Sequence, residues 1–466
     1  MEEKISYRLI DNDIIRTIKV NGRGSKTSKL PIPNWVDRSQ AAVNIYDLSW
    51  LAAKERPRVR ASAKEIRAVD LFCGCGGLTL GIREAARGLG CAFRSVFASD
   101  INRGALSIYR RNFAPDMIDD KPIEQTINGS LGSDLTVEEK NFCGQVGSVD
   151  ILVAGPPCQG NSNLNNYTRR NDPRNLLYLR AVRCAEILNP NTLIIENVPG
   201  VLHDKHGVLQ MADDYLRSIG YSVSWGIVKM WKIGVAQTRQ RMLLVASRVK
   251  KEVDIHQIVK ESCLPFRPIA WAIGDLIDTY NSDSVFNSAA THSVTNQARI
   301  HYLFEHGLYE LPNDQRPDCH RLKPHTYPAV YGRMHWDRPS PTITGGFSCC
   351  GRGRFVHPLQ ERTLTPHEAA RVQYFPDFFD FGELNRMGLV RAIGNAVPPR
   401  AGYVVALPLL IAALEHGSIT DIHKVENSPS DTPIDYSEHD CEIWKEMSRH
   451  VSDCDNISVG SIGGRQ

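Results

Sequence analysis

The chain is 466 residues long, enough for one large α/β domain and a smaller one. Its 55 Lys and Arg against 52 Asp and Glu exclude a bulk polycation, so any nucleic-acid contact must come from local basic clusters. No run of about 18 apolar residues appears, and Met1-Glu2-Glu3-Lys4 lacks the basic-then-apolar pattern of a secretory signal; the expectation is a soluble, cytoplasmic protein with no membrane segment. The 12 cysteines are scattered without paired Cys-x-x-Cys or His-x-x-x-His spacing, so neither a disulfide framework nor a metal site is expected.

Residues 1–66 are polar and basic, ending in Lys54-Glu55-Arg56-Pro57-Arg58-Val59-Arg60, and read as an N-terminal extension, either a solvated leader or an auxiliary DNA contact. From residue 67, short apolar runs alternate with amphipathic stretches, as in a mostly parallel sheet covered by helices. Strands are predicted at Ala68–Phe72, Phe93–Ser99, Val149–Ala154, Thr192–Ile195, Tyr221–Val228 and Met242–Ser247. Ligands of open α/β sheets sit outside the carboxyl ends of the strands, so chemistry is sought there. Between residues 248 and 337 the alternation fades, which suggests an inserted second domain. Helical patterns return at Thr365–Tyr374 and Ala401–Glu415 within a catalytic segment spanning 338–415, and residues 416–466 read as an acidic, mobile tail.

The first predicted strand runs into Cys73-Gly74-Cys75-Gly76-Gly77, where glycines let the backbone turn and approach a ligand. A dinucleotide loop would want a third glycine at 79, where Thr stands, which weakens a dehydrogenase reading. The second strand ends at Asp100, at about the 20-residue spacing at which an acid meets ribose hydroxyls. Together these suggest an adenosine-type ligand, although a structural turn with an exposed acid remains open.

Val149–Ala154 opens into Gly155-Pro156-Pro157-Cys158-Gln159-Gly160. Two prolines fix φ twice and stiffen a loop that presents a soft nucleophile; the alternative is a buried structural cysteine. Thr192–Ile195 ends in Glu196, which brings a carboxylate to the same edge. If strand geometry already holds over Gln237-Thr238-Arg239-Gln240-Arg241, Arg239 and Arg241 point to one face near the thiol, unless they are ordinary salt-bridge partners.

These residues resemble the motifs of the cytosine-5 DNA methyltransferases of the compact bacterial type. Asp70–Gly81 looks like the family's cofactor loop, Gly155–Gly160 like its Pro-Cys loop, and Glu196-Asn197-Val198 like its Glu-Asn-Val element. Gln237–Arg241 is similar to Gln-x-Arg-x-Arg, 338–344 (Arg-Pro-Ser-Pro-Thr-Ile-Thr) to the segment after the recognition domain, and Gly394–Pro399 to the terminal Gly-Asn-Ala-Val-Pro-Pro. The order and length of the match cover roughly residues 67–415. The resemblance implies a Rossmann-like S-adenosylmethionine-dependent methyltransferase fold with a smaller inserted target-recognition domain at 248–337. It implies Cys158 as nucleophile toward carbon 6 of a flipped cytosine, Glu196 as its acid partner at ring nitrogen 3, and Arg239 and Arg241 as supports. Gly160–Asp172 would be the closing loop.

The same resemblance places S-adenosyl-L-methionine against Phe72, Gly74, Gly77, Leu78, Asp100, Ile101, Ser130, Pro156, Leu177, Asn395 and Val397. The family usually has Glu at Asp100 and often Asp at Ser130, where a hydroxyl can still accept the hydrogen bond. Arg299, Arg316, Arg321 and Arg333 are the basic candidates for DNA contact in the recognition region. Duplex DNA is the expected partner, a separately encoded restriction endonuclease a plausible companion, and a monomer the family expectation. Two other readings compete: a tRNA cytosine methyltransferase built on the same motifs, and a catalytically inactive DNA-binding homologue. The intact Cys158, Glu196, Arg239 and Arg241 oppose the second.

Overall fold

A computed structural model of the protein describes residues 5–59, 64–157, 173–322 and 329–419. Its centre is a seven-stranded sheet. In chain order the strands are β4 (Glu65–Leu71), β5 (Ala92–Ser99), β6 (Met117–Asp119), β7 (Ile151–Ala154), β8 (Thr192–Asn197), β9 (Ser222–Lys229) and β10 (Gln240–Ser247), following three N-terminal strands given below. They lie side by side as β6-β5-β4-β7-β8-β10-β9. The five strands from β6 to β8 are parallel, while β10 runs antiparallel to both β8 and β9. All six predicted strands are present.

The central strands β7 and β8 are buried at every residue, which is why they read as unbroken apolar runs rather than alternating ones. Helices cover both faces and divide the core in two. One side gathers helix Gly77–Gly88, helix Arg103–Phe113 and the long helix Pro399–His416; the other gathers Val137–Val146, Leu177–Leu188 and Val208–Ser218. One described stretch, within Arg386–His416, is long and apolar enough to cross a bilayer by composition, but 83 % of its apolar window is buried inside the fold, as a core helix should be.

The N-terminal extension is folded, contrary to its reading as a solvated leader. Strands β1 (Ile5–Ile10), β2 (Asp13–Val20) and β3 (Gly24–Pro31) form an antiparallel meander, followed by helix Ala42–Leu51. In β2 alternate residues turn inward, so Ile14, Arg16, Ile18 and Val20 are buried. They join the main hydrophobic core with Leu30, Ile45, Trp50 and Leu51.

Where this module meets the helices, four guanidinium groups share two buried carboxylates. Glu84 pairs with Arg16 (3.0 Å) and Arg87 (2.7 Å), and Asp47 pairs with Arg267 (2.7 Å) and Arg400 (3.2 Å).

The recognition region divides differently from its sequence boundaries at 248 and 337. Val253, Ile255, Ile258, Ile269, Ile273 and Leu276 belong to the main core, held by helices Ile255–Glu261 and Ile269–Ile273. A separate small core contains Ile300 and Leu303 of helix Val294–Glu305 together with Leu311, Val330, Tyr331, Cys350 and Val356, and so reaches past residue 337. Of the tail expected at 416–466, His416 ends a helix and Ile419 is buried in the main core, contrary to that reading, while residues 420–466 lie outside the described residues.

The Asp47 pairs give the first prediction. Removing the shared carboxylate strands two guanidiniums inside the protein, and breaking a buried pair costs about 3–5 kcal/mol. Asp47→Ala therefore lowers the free energy of unfolding measured by denaturant titration by about that amount, whereas Arg94→Ala, whose pair with Asp116 is largely exposed, leaves it nearly unchanged.

Candidate active site

Strand register brings four chain segments into one row. Leu71 of β4 pairs with Ser99 of β5 and with Ala154 of β7, and Ala154 pairs with Ile195 of β8. The residues that follow, Asp100, Phe72, Gly155 and Glu196, stand side by side at the carboxyl edge. The row straddles the point between β4 and β7 at which strand order reverses, where open α/β sheets hold ligands. At a strand spacing of ~4.8 Å, its two carboxyls, Asp100 and Glu196, are on the order of 14 Å apart.

At the Asp100 end the backbone itself forms the site. Phe72 leaves β4 with φ 54° and Gly74 follows with φ 54°; a Cβ on Gly74 would meet nothing within 4 Å, so this stretch of main chain is open to a ligand. Gly77 starts helix Gly77–Gly88, and a Cβ there would lie 2.1 Å from the carbonyl oxygen of Val397. That close approach seats the cofactor loop against the Asn395–Val397 turn. Leu78 is buried beside it.

The Asp100 carboxylate accepts from the backbone N–H of Gly74 (2.9 Å) and of Asn102 (2.8 Å), one bond to each oxygen. Burial pushes this carboxyl up, and the two N–H bonds oppose the shift. Each oxygen keeps a lone pair for a further donor. The adjoining Ile101 is 72 % exposed, an apolar surface beside a polar edge. Behind the loop, Asp70 accepts a hydrogen bond from the Thr79 hydroxyl and is pushed up to about 8 by burial. Burial thus disfavours the charged form of Asp70; sequence patterning gave Asp70 no role.

The remaining cofactor candidates are dispersed around this end. Pro156 is buried, Leu177 begins helix Leu177–Leu188 and is half-buried against its core, and Val397 is half-buried. Asn395 is exposed, with its Oδ1 3.8 Å from where a Cβ on Gly345 would stand. Ser130 is exposed in a turn closed by Ser133, whose hydroxyl donates to the Ser130 carbonyl at 2.8 Å.

The other end is built from charge. Glu196 is buried, and its Oε1 accepts from Arg241 Nε at 2.6 Å. Burial raises its pKa, while Arg241 first and Arg239 second pull it down. A Cβ on Gly155 would lie 3.8 Å from Glu196 Oε2, so the carboxyl faces the root of the Pro156-Pro157 loop. Asn197 ties that root down: its Nδ2 donates to the Pro156 carbonyl at 3.4 Å. This anchoring role was not foreseen from sequence.

Arg239 and Arg241 were both expected beside the thiol. The structure brings both to Glu196 but gives them different tasks. Arg241 pairs with the carboxylate directly, whereas Arg239 is buried and donates to the carbonyls of Ile343 (2.8 Å) and Gly394 (3.3 Å). Cys158 and the expected closing loop Gly160–Asp172 lie outside the described residues. No group of three or more His, Cys, Asp or Glu residues able to hold a metal occurs among the described residues.

The four arginines offered for DNA contact are engaged within their own region. Arg299 lies over the Tyr331 ring (5.4 Å) and donates to the Gln315 carbonyl, and Arg333 lies over Phe304 (3.9 Å) and donates to the Pro358 carbonyl. Arg316 donates to the Leu311 carbonyl and Arg321 pairs with Asp318. Polar-sequence reasoning could not separate these packing roles from readout.

Comparison with known proteins agrees with this geometry. The family model of the C-5 cytosine-specific DNA methylases matches residues 66–409. The chain belongs to this family. It is 48 % identical over 408 residues to the Type II methyltransferase M1.BsuMI of Bacillus subtilis (strain 168), covering 87 % of this chain and 95 % of that one. It is 31 % identical over 353 residues to the Type II methylase M.HgiDII of Herpetosiphon aurantiacus, covering 72 % and 93 %. Among solved structures, a candidate DNA modification methyltransferase encoded within an E. coli prophage superposes with a TM-score of 0.56 at 23 % identity, covering 75 % of this chain and 99 % of that one. That likeness supports the fold, an α/β sheet of the S-adenosylmethionine-dependent type. The enzyme is a DNA cytosine-5 methyltransferase and its methyl donor is S-adenosyl-L-methionine.

Glu196 titrates above an exposed carboxyl in the folded enzyme. Its contribution to stability is thus fully present below the unfolded pKa and is lost as pH rises through the folded one. Arg241→Met removes the nearest opposing cation and should move the Glu196 titration further upward, as read by carbon-detected NMR of its side-chain carboxyl. An unmoved midpoint would show that Arg241 does not act on this group.

Proposed function

We propose that the enzyme methylates carbon 5 of a cytosine flipped out of duplex DNA, with Cys158 as covalent nucleophile and Glu196 as its acid partner. The observation that carries this is the buried Glu196 carboxyl, paired with the Arg241 guanidinium at the root of the Pro-Pro-Cys loop. Carbon 5 of cytosine is a poor nucleophile. The Cys158 thiolate adds to carbon 6 as Glu196 delivers a proton to ring nitrogen 3, and the resulting enamine makes carbon 5 nucleophilic. After methyl transfer the carbon-5 proton is lost to a base, the Cys158–carbon 6 bond breaks to release the thiolate, and the nitrogen-3 proton returns to Glu196, which restores the aromatic ring. Arg241 keeps the Glu196 carboxyl oriented, and its charge limits how far burial raises the carboxyl's pKa. Extrusion of the base costs a few kcal/mol, and is required because a stacked base shows neither face to a thiol.

The Asp100 end suits the methyl donor. Asp100 retains acceptor capacity for two ribose hydroxyls, Gly74 offers open backbone and Ile101 offers an apolar face for the adenine, and we assign Phe72, Gly77, Leu78, Pro156, Leu177, Asn395 and Val397 to the same site. When bound there, the cofactor supplies the electrophilic methyl group. Ser130 would reach the adenine amino group through its hydroxyl.

The names of the relatives, Type II methyltransferases, support a place in restriction–modification: methylation at one short duplex sequence that shields it from a separately encoded endonuclease. A monomer acting in the cytoplasm fits that role. Base-reading side chains belong to the region carrying the small separate core, and DNA is favoured over tRNA by the same relatives.

Labelled methyl transfer from S-adenosylmethionine to duplex DNA tests this reading. The native chain should label cytosine within one short sequence, Cys158→Ser should fall to background, and Glu196→Gln should lose about 10²–10⁴-fold, the usual worth of a proton-transfer group. Label on tRNA in place of DNA would overturn the substrate, and an active Cys158→Ser would overturn the mechanism.

A further inference from the structure

A closed ring of hydrogen bonds runs beneath the row. Its first element is the peptide on either side of Ile343, in the segment that follows the recognition region. The Ile343 N–H donates to Gln237 Oε1 (2.9 Å) and the Ile343 carbonyl accepts from Arg239 Nη1 (2.8 Å). Gln237 Nε2 donates to Gln373 Oε1 (2.7 Å), and Gln373 Nε2 donates to the Ile393 carbonyl (2.6 Å) and more weakly to that of Ala396 (3.3 Å). Arg239 closes the ring on the carbonyl of Gly394. Gln237 and Gln373 are fully buried and Arg239 nearly so.

Amide orientation along the glutamine arm is fixed by its ends. The Ile343 N–H can only donate and the Ile393 carbonyl can only accept, so each glutamine has one permitted orientation and the bonds from Ile343 through Gln237 and Gln373 to Ile393 run in one direction, while Arg239 donates to both Ile343 and Gly394. Such a chain in a low-dielectric interior strengthens along its length and is costly to leave half-made. It joins four separated pieces of sequence: the Gln237–Arg241 element, the return from the recognition region, the end of helix Pro366–Val372 and the Ile393–Val397 turn. Two of those pieces carry groups of the reaction: Arg239 bears on Glu196, and the turn abuts Gly77 of the cofactor loop.

We propose that Gln373 is a positioning residue of the methyl transfer, acting through Gln237 and Arg239 on Glu196 and through the Ile393–Val397 turn on the cofactor. The inference rests on the reading of Glu196 and of the Asn395–Val397 turn given above. Gln373 touches no reacting atom. It keeps the two ends of the row in one fixed relation and ties both to the segment leaving the recognition region.

The test compares Gln373→Met, Gln373→Glu, Gln237→Met and the Gln237→Met/Gln373→Met double variant in the full chain. Readouts are KM for S-adenosylmethionine, single-turnover methyl transfer, duplex affinity and thermal midpoint. Gln373→Met should slow single-turnover transfer by about 10-fold or more and raise the cofactor KM, while duplex affinity stays within about twofold. Because one broken link opens the ring, the double variant should be little worse than either single one.

Gln373→Glu supplies a signature that lost packing cannot. Its protonated carboxyl would accept from Gln237 and donate to Ile393, so its rate relative to the native enzyme should recover as pH falls, whereas that of Gln373→Met stays flat. A lowered thermal midpoint with native KM and native transfer rate would overturn the proposal, as would strictly multiplicative losses in the double variant. Should Gln373→Met not fold, the pH dependence of Gln373→Glu decides alone. Native enzyme that transfers no methyl to DNA at all would fail the underlying reading instead.

Discussion

A carboxyl removed from water at the root of the Pro156-Pro157 loop is the constraint around which the rest of this structure is arranged. Burial disfavours the charged form of Glu196. The Arg241 guanidinium at 2.6 Å opposes that shift, and it can do so only because β10 lies next to β8 in antiparallel register, with Leu243 opposite Glu196. An ordinary parallel neighbour would arrive at this edge with its carboxyl end. The reversed strand arrives with its amino end, and so delivers Arg239 and Arg241 to the place where the carboxyl needs them. Arg239 in turn needs carbonyl acceptors, which the Ile343 and Gly394 segments supply. Two distant pieces of chain thus hold a cation whose charge bears on one buried carboxyl.

The N-terminal module solves a different problem. Helices Gly77–Gly88 and Pro399–His416 pack closely, and the polar residues on their outer faces would otherwise meet solvent. The module covers them with the inward face of β2 and with helix Ala42–Leu51, and places Arg16 and Asp47 against Glu84 and Arg400. Buried pairs of this kind add little net stability over apolar packing, since desolvation consumes much of the attraction. What they do is forbid alternatives, because any misplacement leaves a charge unpaired. Asp47 also holds Arg267, which follows β10 in the chain, so the module fixes the base of the segment that leads into the recognition region.

Much of the catalytic sheet was legible in the sequence, and the reasons for the gaps are physical. β7 and β8 are buried on both faces and therefore show as apolar runs, and the residues after them are the ones that carry chemistry. In β2 the alternation is present, but Arg16 occupies an inward position, so a charged residue stood where an apolar one would have signalled a strand. β3 turns only Ser28 and Leu30 inward and reads as loop. Val253 to Leu276 contains apolar residues of the main core, but in helices of only seven and five residues, too short to show a period. Motif order located Glu196, Arg239 and Arg241 correctly at one edge. It could not say that Arg239 is spent on carbonyls, because its partners lie more than 100 residues away.

The two ends of the row are held by unlike forces, and this bears on how the enzyme can combine them. Asp100 is fixed by backbone N–H groups whose positions are set by main-chain shape and glycine contacts. Glu196 is fixed by the Arg241 guanidinium, whose hold depends on the protonation state of the carboxyl. If Glu196 is the proton donor proposed above, an Asp100 end whose shape is set by main chain keeps that shape as the Glu196 carboxyl gains and loses its proton. Three strand gaps, on the order of 14 Å, separate the two ends, and the buried amides of Gln237 and Gln373 with Arg239, rather than an ion pair, bridge them, so a change of charge at one end need not reshape the other.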